Sequence, residues 1–203
     1  MDIGTGILQQ FARRRTQQER CDLCAAPIAE RHPHLLKDDL RTVVCACGPC
    51  AVLFSNGDGR FKRIPDRVNT MPDFELNNEE WSAFGLPIDL AFFVDRSDVD
   101  RVVAIYPGAA GATESALHLE NWSTIARRND LCLERDVEAL LVDHRQENRR
   151  YFKVPIDECY KLTGLIRMNW KGFTGGREMR QAVDGFFAEL EEHSRPMKET
   201  ANA

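Results

Sequence analysis

No run of apolar residues in the 203-residue chain is long enough to cross a membrane. About 20 are needed, and stretches such as Leu90-Ala91-Phe92-Phe93-Val94 have only the length of a strand. The chain also lacks an N-terminal apolar segment followed by a small-residue cleavage site. That argues against a secretory signal and makes the cytoplasm the expected location. It has no basic excess either: the formal net charge is −5 and the pI about 5.6. General binding to nucleic acid draws its affinity from lysines and arginines on phosphates, so this balance argues against it. The one dense basic cluster, Arg13-Arg14-Arg15 with Arg20, reads as the solvated face of a helix. Internal repeats and low-complexity tracts are absent. With 43% hydrophobic residues the chain can bury an ordinary core, which excludes disorder throughout.

Cysteine is unevenly spread. Five of the seven cysteines, Cys21, Cys24, Cys45, Cys47 and Cys50, crowd into thirty positions. A disulfide framework is not expected in a cytosolic chain, so this density reads as a metal site. Cys21-Asp22-Leu23-Cys24 and Cys47-Gly48-Pro49-Cys50 are two C-x2-C knuckles with 22 residues between them. Each short turn aims two thiolates and its own backbone amides at one point, and two such turns complete a tetrahedral shell. Zinc is the expected metal and iron the alternative, since both accept four thiolates. A closed shell of this kind leaves no position for a reacting water, so the expected role is structural. Cys45 can replace Cys47, act as a fifth thiolate, or pack as a buried thiol. His32 and His34 lie between the knuckles as alternate ligands, supporting donors or plain surface residues.

The rest of the chain reads as an α+β protein: a small zinc-ribbon-like N-terminal module followed by an antiparallel sheet packed with C-terminal helices. Residues 1–18 carry Ile7, Leu8 and Phe11 at helical spacing. The metal module spans 19–70, with strands expected at Arg41–Val44 and Ala51–Phe54 and a hairpin return after Asn56-Gly57-Asp58-Gly59. The α+β domain spans 76–193. Its expected elements are a short helix capped by Asn78, a meander over Ile88–Val94, Arg101–Tyr106 and Thr113–Leu119, and a helix bearing Trp122 and Ile125. Paired strands then run over Asp136–Val142 and Tyr151–Val154, before one helix entered through Pro155 and another after Gly175-Gly176. Residues 194–203 read as a flexible tail.

Other constellations are weaker. Gly108-Ala109-Ala110-Gly111-Ala112-Thr113 has the glycines of a phosphate loop but no lysine before the hydroxyl, and reads as a hairpin turn. His144 beside Asp143 has no nucleophile that spacing attaches to it. No catalytic residue is assigned and no organic cofactor is expected, and the activity of the second domain stays open.

Three blocks carry a resemblance. Phe11-Ala12-Arg13-Arg14-Arg15 running into Cys21-Asp22-Leu23-Cys24, then Cys45-Ala46-Cys47-Gly48-Pro49-Cys50, then Tyr151 to Tyr160 with Gly164-Leu165-Ile166-Arg167, resemble an uncharacterised bacterial family encoded beside uptake nickel-iron hydrogenases. The resemblance implies Cys21, Cys24, Cys47 and Cys50 as ligands and leaves Cys45 undecided. It also implies a metal-binding accessory protein of hydrogenase maturation that recognises a hydrogenase subunit or maturation factor. A rubredoxin-like redox or metal-transfer protein is the alternative.

Overall fold

The computed structural model describes residues 18–197 apart from 40, 58, 116–120, 146–148 and 172–174. The expected first helix, with Arg13-Arg14-Arg15, lies outside the described residues but for its last position. The chain divides into two compact units, Met1–Arg63 and Ile64–Ala203. No helix among the described residues is long and apolar enough to cross a membrane.

In the first unit, β1 (His34–Lys37), β2 (Thr42–Cys45) and β3 (Phe61–Arg63) form an antiparallel sheet in the order β2-β1-β3, and α1 (Gly48–Ser55) follows β2. The register sets His34 opposite Cys45 and Leu35 opposite Val44. Leu35 and Leu36 are fully buried. The strand expected at Ala51–Phe54 is part of α1 instead. Pro49 presets the backbone of the first helical turn, and the helix turns Cys50 and Ala51 inward while Val52 and Leu53 stay exposed. A run of four apolar residues carries no period that separates strand from helix.

The second unit contains β4 (Asn69–Thr70), α2 (Asn78–Ala83), β5 (Leu90–Arg96), β6 (Arg101–Gly108), β7 (Gly111–Glu114), α3 (Trp122–Arg128), β8 (Glu138–Asp143), β9 (Arg150–Pro155), α4 (Ile156–Asn169), α5 (Gly176–His193) and β10 (Arg195–Pro196). Its sheet runs β10-β4-β9-β8-β5-β6-β7, antiparallel except for the β10–β4 pair. Leu90 to Val94 are all buried, as a central strand covered on both faces requires. Phe93 and Ala91 face a cluster with Trp81 of α2, Phe84 at its C-cap, and Trp122 and Ile125 of α3. The alternating residues Phe92 and Val94 point to the opposite face. Helix α4 crosses strands β6 to β9, and α5 packs against α4, burying Cys159, Leu162, Ile166, Val183 and Phe187.

Several boundaries differ from expectation. Residues 69–70, read as the end of the metal module, form β4 of the second sheet. The segment read as a loose tail supplies β10, held by Arg195 N–H to Val68 O at 3.1 Å and Met197 N–H to Thr70 O at 3.0 Å. These two-residue strands are fixed by backbone pairing and leave no apolar pattern to read. The cap of α2 is Asn77, not Asn78. Asn77 Oδ1 accepts the Glu80 N–H at 2.8 Å and Glu80 Oε2 accepts the Asn77 N–H at 3.0 Å, a reciprocal capping box. Pro155 ends β9 and precedes α4 rather than lying in its first turn. Strand β7 stops at Glu114, with 116–120 outside the described residues.

Candidate metal centre

The first knuckle is a tight turn in which Ala25 N–H bonds Cys21 O at 2.8 Å, and Cys21 N–H bonds Ala26 O at 2.8 Å. Ala25 closes the turn at φ 59°, in the left-handed region. The second knuckle is a helix entry: Cys47 is the N-cap of α1 in an extended conformation, and Cys50 falls in the first turn. Asp22 ties the knuckles together, its N–H bonding Cys45 O at 2.9 Å and its Oδ2 accepting the Cys45 N–H at 2.7 Å.

The Sγ atoms of Cys21, Cys24, Cys47 and Cys50 all lie within 4.8 Å of one another, and Cys24 and Cys47 sulfurs are 3.6 Å apart. Four thiolates about 2.3 Å from one tetrahedral zinc are about 3.8 Å apart, so the set has the dimensions and the donors of a four-thiolate metal site. It can hold a metal ion. Burial pushes the Cys21 thiol up, but the backbone N–H groups of Cys47, Leu23 and Cys24 outweigh it and bring the thiol down to about 6. Cys50 is pushed up to about 12, first by the Cys47 thiol and then by burial. Cys21 therefore gives up its proton readily and Cys50 holds one longest, until a cation takes the place of the proton. The small core around the site joins Cys21 and Cys50 to Ile28, Leu35, Ala46, Ala51 and Phe61.

The model of a family of unknown function, DUF5947, matches residues 20–194. The chain belongs to this family. No curated protein and no solved structure matches it. The span matched to DUF5947 contains both knuckles, Cys45, His32, His34 and most of the second unit, and begins after Arg13-Arg14-Arg15.

Cys45 does not join the four thiols. Its sulfur groups with His32 and His34, their ligand atoms within 4.8 Å of one another. Burial, then the carboxylates of Asp22 and Glu19, push its thiol up. Spacing alone does not find this trio, because it depends on the β1–β2 register that sets Cys45 opposite His34. Elsewhere, Cys132 is exposed and Cys159 is fully buried, its thiol pushed well up by burial. His144 stacks on Trp81 with ring centroids 4.5 Å apart, and burial lowers its pKa. Its neighbour Asp143 is engaged by Arg145 at 2.8 Å and Arg150 at 2.6 Å. Gly108 and Gly111 pair across the turn joining β6 to β7.

Proposed function

We propose that this chain is a zinc-holding accessory protein that acts by recognising another protein. The observation that carries the reading is the closed set of four thiols. Four protein donors complete a tetrahedral shell, leave no position for water or substrate, and give the metal an organising role. Zinc is favoured over iron because structural four-thiolate sites are its commonest setting. The three sequence blocks that resemble the hydrogenase-associated family support a setting in nickel-iron hydrogenase maturation in the cytoplasm, with a hydrogenase subunit or maturation factor as partner.

Two measurements test the two levels of this reading. Purified protein should carry zinc and be colourless, whereas visible iron-thiolate absorbance would replace it with the redox reading. Deleting the gene in its host should lower hydrogenase activity while leaving the hydrogenase transcript intact, with unprocessed or cofactor-poor enzyme accumulating. Undiminished activity in the deletion strain under hydrogenase-inducing growth would remove the hydrogenase setting and leave the metal site standing.

A further inference from the structure

We infer that His32, His34 and Cys45 form a second metal site, separate from the four cysteines, that takes a borderline transition-metal dication such as Zn2+, Co2+ or Ni2+ through three protein ligands. Two imidazoles and one thiolate suit these ions, whereas an oxygen-seeking cation would find no carboxylate among the three.

Three geometric features support the site. The Nε2 atoms of His32 and His34 are hydrogen-bonded at 3.1 Å; two imidazole nitrogens about 2.0–2.1 Å from one tetrahedral metal are about 3.4 Å apart, so a shift of a few tenths of an ångström, with the proton between them given up, admits the ion. His32 has its other ring nitrogen already committed. Nδ1 lies 2.9 Å from Ala29 O and 3.2 Å from Glu30 O, and 3.6 Å from the Glu19 carboxylate. Carbonyl oxygens only accept, so Nδ1 carries the proton and Nε2 presents its lone pair to the trio. This is the arrangement by which metal-binding histidines are oriented. The third ligand is fixed by backbone structure: Cys45 faces His34 across the β1–β2 ladder, and its N–H is held by Asp22 at 2.7 Å.

With three protein ligands the fourth coordination position falls to water or to an incoming donor. His34 and Cys45 are half-buried and the His32 ring is nearly enclosed, so such a donor would approach over His34 and Cys45. One compact module thus holds two kinds of site: a closed one suited to structure and an open one suited to reversible loading. The second follows from the trio's own geometry and stands whether or not the four-cysteine site takes zinc.

The test is a titration of metal-free, reduced full-length protein with Co2+, read by absorbance and by elemental analysis after gel filtration. The wild type should take up two equivalents, one with the intense charge-transfer absorption of a four-thiolate site and one with the weaker charge-transfer band of a single thiolate. His32→Ala and His34→Ala should each lose one equivalent and keep the four-thiolate spectrum. In the wild type, alkylation of Cys45 by iodoacetamide should slow at least tenfold on addition of the second equivalent, a reading that requires no variant to fold. Saturation at one equivalent that bears the four-thiolate spectrum, two equivalents retained by the His32→Ala/His34→Ala double variant, or Cys45 alkylation indifferent to the second equivalent would each overturn the site. Failure of the four-cysteine reading has a different signature, the absence of the four-thiolate spectrum from every protein tested.

Discussion

The two units solve the problem of a stable core in opposite ways. In the second, Phe92, Phe93, Leu140, Leu141, Phe152 and Phe187 are essentially inaccessible to solvent, and a seven-stranded sheet carries helices that bury these side chains. Among the described residues of the first, a three-stranded sheet and an eight-residue helix surround a cluster in which Cys21 and Cys50 stand among the buried residues. A core this small contributes little burial energy, and modules of this size commonly rely on a metal instead. The lesson is that the same chain buries apolar area where it has it and gathers thiols able to hold a metal where it does not.

The sharpest way to break the comparison is to remove one ligand. Cys21→Ser should abolish zinc retention and unfold the first unit, since structural zinc is worth about 10 kcal/mol or more of folding free energy in such modules. Elemental analysis and limited proteolysis would show both losses, with the second unit intact. The converse variant, Phe93→Ala, removes a fully buried ring from the sheet and should cost the second unit about 3–5 kcal/mol. Denaturant unfolding followed alongside metal content should show that loss with zinc unchanged.

A smaller effect is expected at Asp143. Burial pushes its carboxyl up, but Arg145 and Arg150 outweigh burial and hold it below the usual carboxylate range. A carboxyl with a lowered folded pKa stabilises the protein above its unfolded pKa, and that contribution fades as pH falls through about 4 towards the lower folded value. Asp143→Asn should cost about 2 kcal/mol at neutral pH and flatten the acid limb of a stability-pH profile. The smallest effect is the cap of α2: Asn77→Ala should cost about 1 kcal/mol, visible as a modest shift of the second unit's denaturation midpoint with the metal signal unmoved.

How far the sequence discloses the fold also differs between the units. In the second, strand β5 and helices α4 and α5 are readable because continuous burial and the 3.6-residue spacing of Val183, Phe186, Phe187 and Leu190 leave strong patterns. The two-residue strands β4 and β10 leave none, since backbone hydrogen bonds alone define them. In the first unit the four clustered cysteines are legible from their spacing, because C-x2-C turns are local. Helix α1 is not, as Ala51 to Phe54 form an apolar run with no period and the helix is set by Pro49 and by Cys47 at its cap. The company of Cys45 with His32 and His34 is legible only once the register of β1 on β2 is fixed, a non-local fact.

The central claim is that coordination by Cys21, Cys24, Cys47 and Cys50 maintains the first unit while the second is maintained by its own core. Amide hydrogen exchange of the intact chain with and without a strong zinc chelator tests it most directly. Protection should collapse across β1, β2, α1 and β3 on chelation and remain unchanged in β5, β8, β9 and α4. Protection of the first unit that survives complete removal of metal, or loss of protection in both units together, would contradict the account.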